Sequence, residues 1–169
     1  MKKEVLMLTL TLLAVAMLAT PAMSVSPKKI PVTVSRSGSY VDFPPSSRVW
    51  TRGNVRHCRG FTGGWLTFDF MGDDVSLPGS LETYYGSYNV NLKNGRGYVH
   101  RRMVLTLDDG GIFEGEHIQN GIFSTGGMLP MPIDVHIHVV FRGTGDYQGW
   151  TIVRTGQTGE PWESYLLIP

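Results

Sequence analysis

The stretch LETYYGSYNVNLKNGRGYVHRRMVLTL, residues 81–107, contains two runs of alternating apolar and polar residues around Asn94-Gly95. Side chains two residues apart on a strand share a face, so this alternation is typical of half-buried β-strands. Asn-Gly suits a type I′ turn because both turn positions need positive φ angles. The stretch therefore predicts an antiparallel hairpin, with Tyr84 and Tyr88 on one face of its first strand.

The same strand pattern extends to both sides of this hairpin. Beyond residue 24 the chain has no alanine and only three lysines, so good helix formers are nearly missing, while all 18 aromatic residues lie beyond residue 39. The sequence predicts an all-β fold, a single antiparallel up-and-down barrel of about eight strands, because consecutive short hairpins favour a meander and closure removes exposed edges. A two-sheet β-sandwich is the alternative.

Stretches rich in Gly, Pro and Asp interrupt this pattern and are expected between strands. Residues 40–47 contain two adjacent prolines, and residues 61–64 contain two adjacent glycines. Residues 71–80 and 124–132 combine Gly with Pro. We expect a connection, a turn and two loops, respectively, at these places.

The amino terminus has the features of an export signal. Lys2 and Lys3 precede an apolar stretch at 5–19, and small residues follow near position 24. The sequence therefore predicts a signal peptide at 1–24 and a single β-barrel domain at 25–169, in a secreted or cell-envelope protein. An uncleaved signal, which would tie the chain to a membrane, is the alternative.

Charge and cysteine content restrict the possible partners. The chain carries a net charge of +1, and removal of the predicted signal leaves equal numbers of basic and acidic residues. A protein without excess positive charge is a poor candidate for nucleic-acid binding. The single cysteine, Cys58, allows no internal disulfide and is expected to be buried as a small apolar residue. The alternative is a free thiol that joins two copies of the chain into a homo-oligomer.

One short motif has the spacing of a metal site. Asp134, His136 and His138 alternate along a predicted strand and so share one face. With a third ligand from His100 or His117, such a pair is able to hold zinc or iron. The opposite face of this strand is apolar and is expected to face the core. That places the histidines outside, so the expectation is no cofactor, with a divalent metal as the alternative.

The candidate ligand-binding residues are aromatic residues on predicted strands, because such residues line pockets for small molecules, together with one arginine. The candidates are Tyr84, Tyr88, Tyr98, Trp65, Trp150 and Arg101. Arg101 alternates in phase with Val99 and Met103. If it shares their inward face, it needs an acid partner or a polar lumen, and the charge marks either a ligand site or an open end of the barrel. For each aromatic residue, a place in the ordinary core is the alternative.

The segment 141–150, FRGTGDYQGW, resembles a hairpin of allene oxide cyclase-like and dirigent-like barrels. In that hairpin a Gly-x-Gly turn leads into a strand with an aromatic residue and a further glycine. The segment 107–115, an acidic-glycine turn followed by Phe-Glu-Gly, is compatible with the same meander. The resemblance implies an eight-stranded antiparallel barrel with an apolar lumen, often oligomeric. The catalytic positions of the cyclase have no match, so no activity is carried over.

These observations favour a binding role over an enzymatic one. We expect a secreted barrel that binds a small apolar or aromatic ligand, or that serves as an interaction module of the cell envelope. The alternative is a barrel enzyme, either cofactor-free and similar to a cyclase or isomerase, or dependent on a metal held by the two strand histidines.

Overall fold

The computed structural model describes residues 26–169. Across these residues there are nine β-strands and one short 3-10 helix. Their bounds are β1 Lys28–Asp42, β2 Arg48–Arg52, β3 Val55–Gly72, β4 Val75–Asn91, β5 Arg96–Leu107, β6 Ile112–Phe123, β7 Pro132–Thr144, the 3-10 helix Gly145–Tyr147, β8 Thr151–Gln157 and β9 Glu163–Ile168. The predicted signal peptide at 1–24 lies outside the described residues. No helix within 26–169 has the length and apolar character needed to cross a membrane.

Eight of the strands close into an antiparallel barrel. Strands β3 to β9 pair in sequence order, and β1 closes the ring by pairing with both β9 and β3. Strand β2 lies outside the ring and pairs with the first part of β3, Val55–Arg59. The predicted all-β barrel of eight strands is thus confirmed, and the ninth strand is an addition to it.

Several strands are longer than the sequence pattern predicted. Strand β3 runs without a break through the expected turn at 61–64, and a two-residue turn at 73–74 replaces most of the expected loop at 71–80. The glycines in β3 serve close packing: a Cβ at Gly63 would lie 2.5 Å from the carbonyl oxygen of Tyr40 on β1. These glycines therefore allow close strand approach rather than a change of chain direction. Strand β1 likewise extends to residue 42, whereas the loop after β6 is present, at 124–131.

The lumen is packed at one end. Buried side chains from all eight ring strands fill it, among them Ile30, Phe70, Leu77, Leu105, Phe113, Phe141, Ile152 and Leu166. The 3-10 helix closes this end, where the Tyr147 ring lies 5.2 Å from that of Phe113 and its hydroxyl donates a hydrogen bond of 2.6 Å to Asp109. We call this the plugged end. Cys58 is buried, as predicted.

Candidate ligand cavity

The opposite end of the barrel contains a cavity of about 390 Å³. Its walls include the aromatic side chains of Phe61 and Trp65 on β3 and of Trp162 before β9. Leu129 and Met131, in the loop after β6, lie across it. We call this the cavity end. The lumen is thus filled by core side chains in one half and left partly empty between aromatic walls in the other.

Strand pairing explains why the lumen widens here. Strand β1 pairs with β9 only over Lys28–Pro31, whereas its later residues pair with β3 alone among the described strands. Strands β1 and β9 therefore separate toward the cavity end. Tyr40 on β1 and Thr158 after β8 lie on the two sides of this gap, and both line the cavity.

The loop at 124–131 is held in place by hydrogen bonds to the barrel. The Tyr88 hydroxyl donates to the carbonyl oxygen of Met128, and the Arg56 guanidinium donates to that of Gly127. The loop ends are joined by a bond of 2.8 Å from the Ser124 N–H to the Met131 carbonyl oxygen. A fixed loop therefore covers part of the cavity.

Basic side chains face the lumen beside the aromatic walls. Arg101 on β5 pairs in register with His117 on β6, His117 pairs with Val139 on β7, and Val139 pairs with Arg154 on β8. These four residues form one row across four neighbouring strands. Arg36 on β1, which is exposed, lines the cavity together with Arg101 and His117. Arg101 therefore shares the inward face of Val99 and Met103.

Each of the three arginines lies over an aromatic ring of the wall. The guanidinium carbon of Arg154 is 4.0 Å from the centroid of Trp162. Arg36 lies 5.0 Å from Trp65 and Arg101 lies 5.6 Å from Phe61. Stacking on a ring face holds a planar guanidinium while its edge N–H groups stay free to donate hydrogen bonds. Six side chains thus form three cation–aromatic pairs around one space.

No carboxylate balances these charges within the described residues. Neither Asp nor Glu lines the cavity there, and the ion pairs found in 26–169 join His100 and Arg102 to Glu116 on the outer face. Within the same residues, buried polar atoms of Arg101, Arg154, His117 and Gln119 have no hydrogen-bond partner. Such atoms are costly to bury, because they lose water without gaining a replacement.

The ionisation of these groups follows from burial. Burial first, and then the positive charge of Arg36, lower the pKa of Arg101 and of Arg154 to about 10 each. Both guanidinium groups therefore stay charged at neutral pH. Burial and the neighbouring arginines hold the pKa of His117 well below 6.5, so this imidazole is neutral at pH 7. The cavity end is positively charged, and its histidine is a neutral hydrogen-bonding group.

The neutral state of His117 predicts a pH dependence of stability. In the unfolded chain this histidine takes up a proton below about pH 6.5, whereas in the folded barrel its lowered pKa prevents this. The unfolded state then binds the extra proton, so the free energy of unfolding should decrease as pH falls from 6.5 to 5. Urea unfolding across this range measures how steeply the free energy of unfolding changes with pH. His117→Gln should reduce that slope by an amount that corresponds to at most one bound proton. An equal slope in both proteins would contradict the buried neutral imidazole.

The structure places the candidate ligand residues in different parts of the barrel. Trp65 and Arg101 line the cavity. Tyr88 is fully buried in the core and contributes its hydroxyl to the loop contact. Trp150 packs on Tyr147 at the plugged end, with ring centroids 5.1 Å apart, and so lies far along the barrel from the cavity.

The two remaining tyrosines face outward, so neither lines the lumen. Tyr84 is 50% exposed and Tyr98 is 43% exposed. A register shift in β4 at residues 83–85 turns Thr83 inward and leaves Tyr84 outside, because one extra residue changes the phase of the alternation. Tyr98 precedes the inward Val99 and so faces out by ordinary alternation.

The predicted metal motif lies on the outer surface of β7. Asp134, His136 and His138 are all exposed. Asp134 accepts a hydrogen bond of 2.8 Å from Gln157. His117 is inside the lumen, across the sheet from this face. Within residues 26–169, no group of three His, Cys, Asp or Glu residues is close enough together to hold a metal ion.

Sequence reasoning named Trp65 and Arg101 and missed Arg36, Arg154 and Trp162. Arg36 follows Val32 in phase along β1, and Arg154 follows Ile152 in phase along β8. The same alternation that put Arg101 in phase with Val99 and Met103 was therefore present in both strands. The convergence of the three on one space depends on how distant strands pair.

Comparison of the chain with protein-family models, with curated proteins and with solved structures found no match. The resemblance of residues 141–150 to allene oxide cyclase-like and dirigent-like barrels therefore stays a prediction, and the functional argument depends on the geometry of the cavity.

Proposed function

We propose that this protein is a binding protein for a small, largely apolar or aromatic ligand, which occupies the cavity at the open half of the barrel. The observation that carries the proposal is the cavity itself, about 390 Å³ between aromatic walls in a lumen that is otherwise packed. The pattern at 1–24 supports a site of action outside the cytoplasm.

The size and lining of the cavity support a ligand of limited size. Cavities that bind small molecules usually measure about 300–1,000 Å³ and combine apolar walls with a few polar groups. This cavity is near the lower bound of that range. Aromatic and aliphatic walls favour burial of an apolar body, since each square ångström removed from water contributes about 25 cal/mol.

A neutral aromatic probe tests the proposal. N-phenyl-1-naphthylamine fluoresces strongly in apolar surroundings, so titration of the folded protein should give a saturable increase in fluorescence. Thr83 is buried and lines the cavity, so Thr83→Phe should fill part of it and lower the affinity at least tenfold. Thr106 lies on the outer face of β5, and Thr106→Phe is the matched control with unchanged affinity.

Two further measurements complete this test. Near-ultraviolet circular dichroism shows whether Thr83→Phe folds, and Leu129→Trp fills the same cavity from the loop if it does not. Native mass spectrometry of the chain from residue 25 onward shows whether a small molecule co-purifies. A folded protein that binds no probe and carries no added mass would rule out the proposed function.

A further inference from the structure

We propose that the ligand of this cavity is an organic acid, with an apolar or aromatic body against the aromatic walls and its oxyanion against Arg36, Arg101 and Arg154. This inference rests on the proposed binding function and adds the chemical class of the ligand.

The first argument is the missing counter-charge. Buried arginines are normally paired, because a guanidinium loses its hydration on burial. Here Arg101 and Arg154 each have a buried Nε without a partner in the described residues, the exposed Arg36 is a charged neighbour of both, and no carboxylate lines the cavity there. An anionic ligand group would balance this charge and accept hydrogen bonds from the free N–H groups.

The second argument is the convergence of the arginines. Arg36, Arg101 and Arg154 come from β1, β5 and β8, which are not neighbours in the ring. A small void of about 20 Å³ lies deeper in the barrel and shares Arg36 and His117 with the larger cavity, and Arg154 lines the void. A space that holds about one water molecule suits a single oxygen atom. The oxyanion would therefore bind where the two spaces meet.

The third argument is the remaining polar groups. His117 is 6% exposed, and its Nε2 has no partner within residues 26–169. A neutral imidazole is able to donate one N–H to an oxyanion beside it. Gln119, two residues further along β6, is equally buried, and the carbonyl oxygen of its side chain is unpartnered there. This oxygen only accepts, so it suits an O–H or N–H group on the ligand body.

The aromatic walls argue against a small inorganic anion. Phosphate or sulfate would satisfy the arginines and leave the space between Phe61, Trp65 and Trp162 without an occupant. Each arginine is also held over one of these rings, so the charged and aromatic surfaces are continuous. A molecule that presents an acid at one end and an apolar body at the other matches both surfaces.

Two probes that differ in one group test this inference. 8-Anilinonaphthalene-1-sulfonate and N-phenyl-1-naphthylamine share a ring system, and only the first has an anion. We expect the folded protein to bind the sulfonate at least tenfold more tightly. Arg101→Met should remove most of this preference. Arg102→Met, on the exposed outer face of the same strand, should change neither affinity.

Thermal unfolding without any ligand is the second readout for the same variants. Removal of an uncompensated buried charge should raise the melting temperature of Arg101→Met, because methionine keeps the apolar stem. Arg154→Met should behave similarly and replaces the first variant if that one does not fold. A lower melting temperature together with unchanged sulfonate binding would assign the guanidinium a purely structural role and overturn the inference.

The outcomes separate this inference from the proposed function. Equal affinities for the two probes in the wild type would overturn the organic acid and leave the binding function standing. Inorganic phosphate that displaces the sulfonate at equal or lower concentration would identify a simple anion site and also overturn it. Failure of both probes to bind the folded protein, together with no added mass in the native spectrum, would remove the proposed function itself.

Discussion

Gly115→Ala is expected to unfold most of the protein. Gly115 faces the lumen in the middle of β6, opposite Phe141 on β7. A Cβ at this position would collide with the carbonyl oxygen of Val140 and lie 2.6 Å from Cδ1 and 2.9 Å from Cα of Phe141. Two of these atoms belong to the backbone of the neighbouring strand, so relief requires the two strands to separate. We expect the free energy of unfolding to fall by more than about 4 kcal/mol, which is at the extreme of the range for single substitutions.

Urea unfolding followed by circular dichroism measures this effect, and Gly126→Ala is the matched control. A Cβ at Gly126, in the loop after β6, meets no atom within 4 Å, so its effect should stay within about 0.5 kcal/mol. A Gly115→Ala protein as stable as the wild type would mean that β6 and β7 do not approach as closely as described.

Tyr88→Ala should lower the free energy of unfolding by about 3–5 kcal/mol, the range for truncating a large buried aromatic side chain. The Tyr88 ring is fully buried beside Phe61, with 6.3 Å between ring centroids. Its hydroxyl donates to the Met128 carbonyl oxygen and so fixes the loop over the cavity. Truncation removes core packing and this loop contact together, so ligand binding should fall with stability.

Two variants separate these contributions. Tyr88→Phe keeps the ring and removes the hydrogen bond, so it should lower the free energy of unfolding by about 1 kcal/mol. Tyr98→Ala removes a tyrosine from the outer face of β5, where it is 43% exposed, and should change stability little. If Tyr88→Ala unfolded at the same urea concentration as Tyr98→Ala, the place of Tyr88 in the core would be wrong.

Local pattern was sufficient to determine much of the barrel. Alternation around Asn94-Gly95 predicted the hairpin of β4 and β5, and the turn chemistry of short connections predicted a meander that closes on itself. Alternation also put Arg101 in phase with Val99 and Met103, and that relation holds wherever a strand is regular. Alternation is a property of a few consecutive residues, so it survives without knowledge of the rest of the chain.

Only the tertiary structure decided where the alternation of inward and outward side chains changes phase. It also decided which side chains from distant strands lie close together. A register shift moved Tyr84 to the outside, since one extra residue reverses the phase of every side chain beyond it. The glycines at 63 and 64 predict a turn when only the sequence is considered. In the folded barrel they lie within β3 and allow neighbouring strands to approach closely. Arg36 and Arg154 are more than a hundred residues apart in sequence, and closure of the ring brings both to the part of the lumen that Arg101 faces. The cavity and its charge are therefore properties of strand pairing, which local periodicity does not encode.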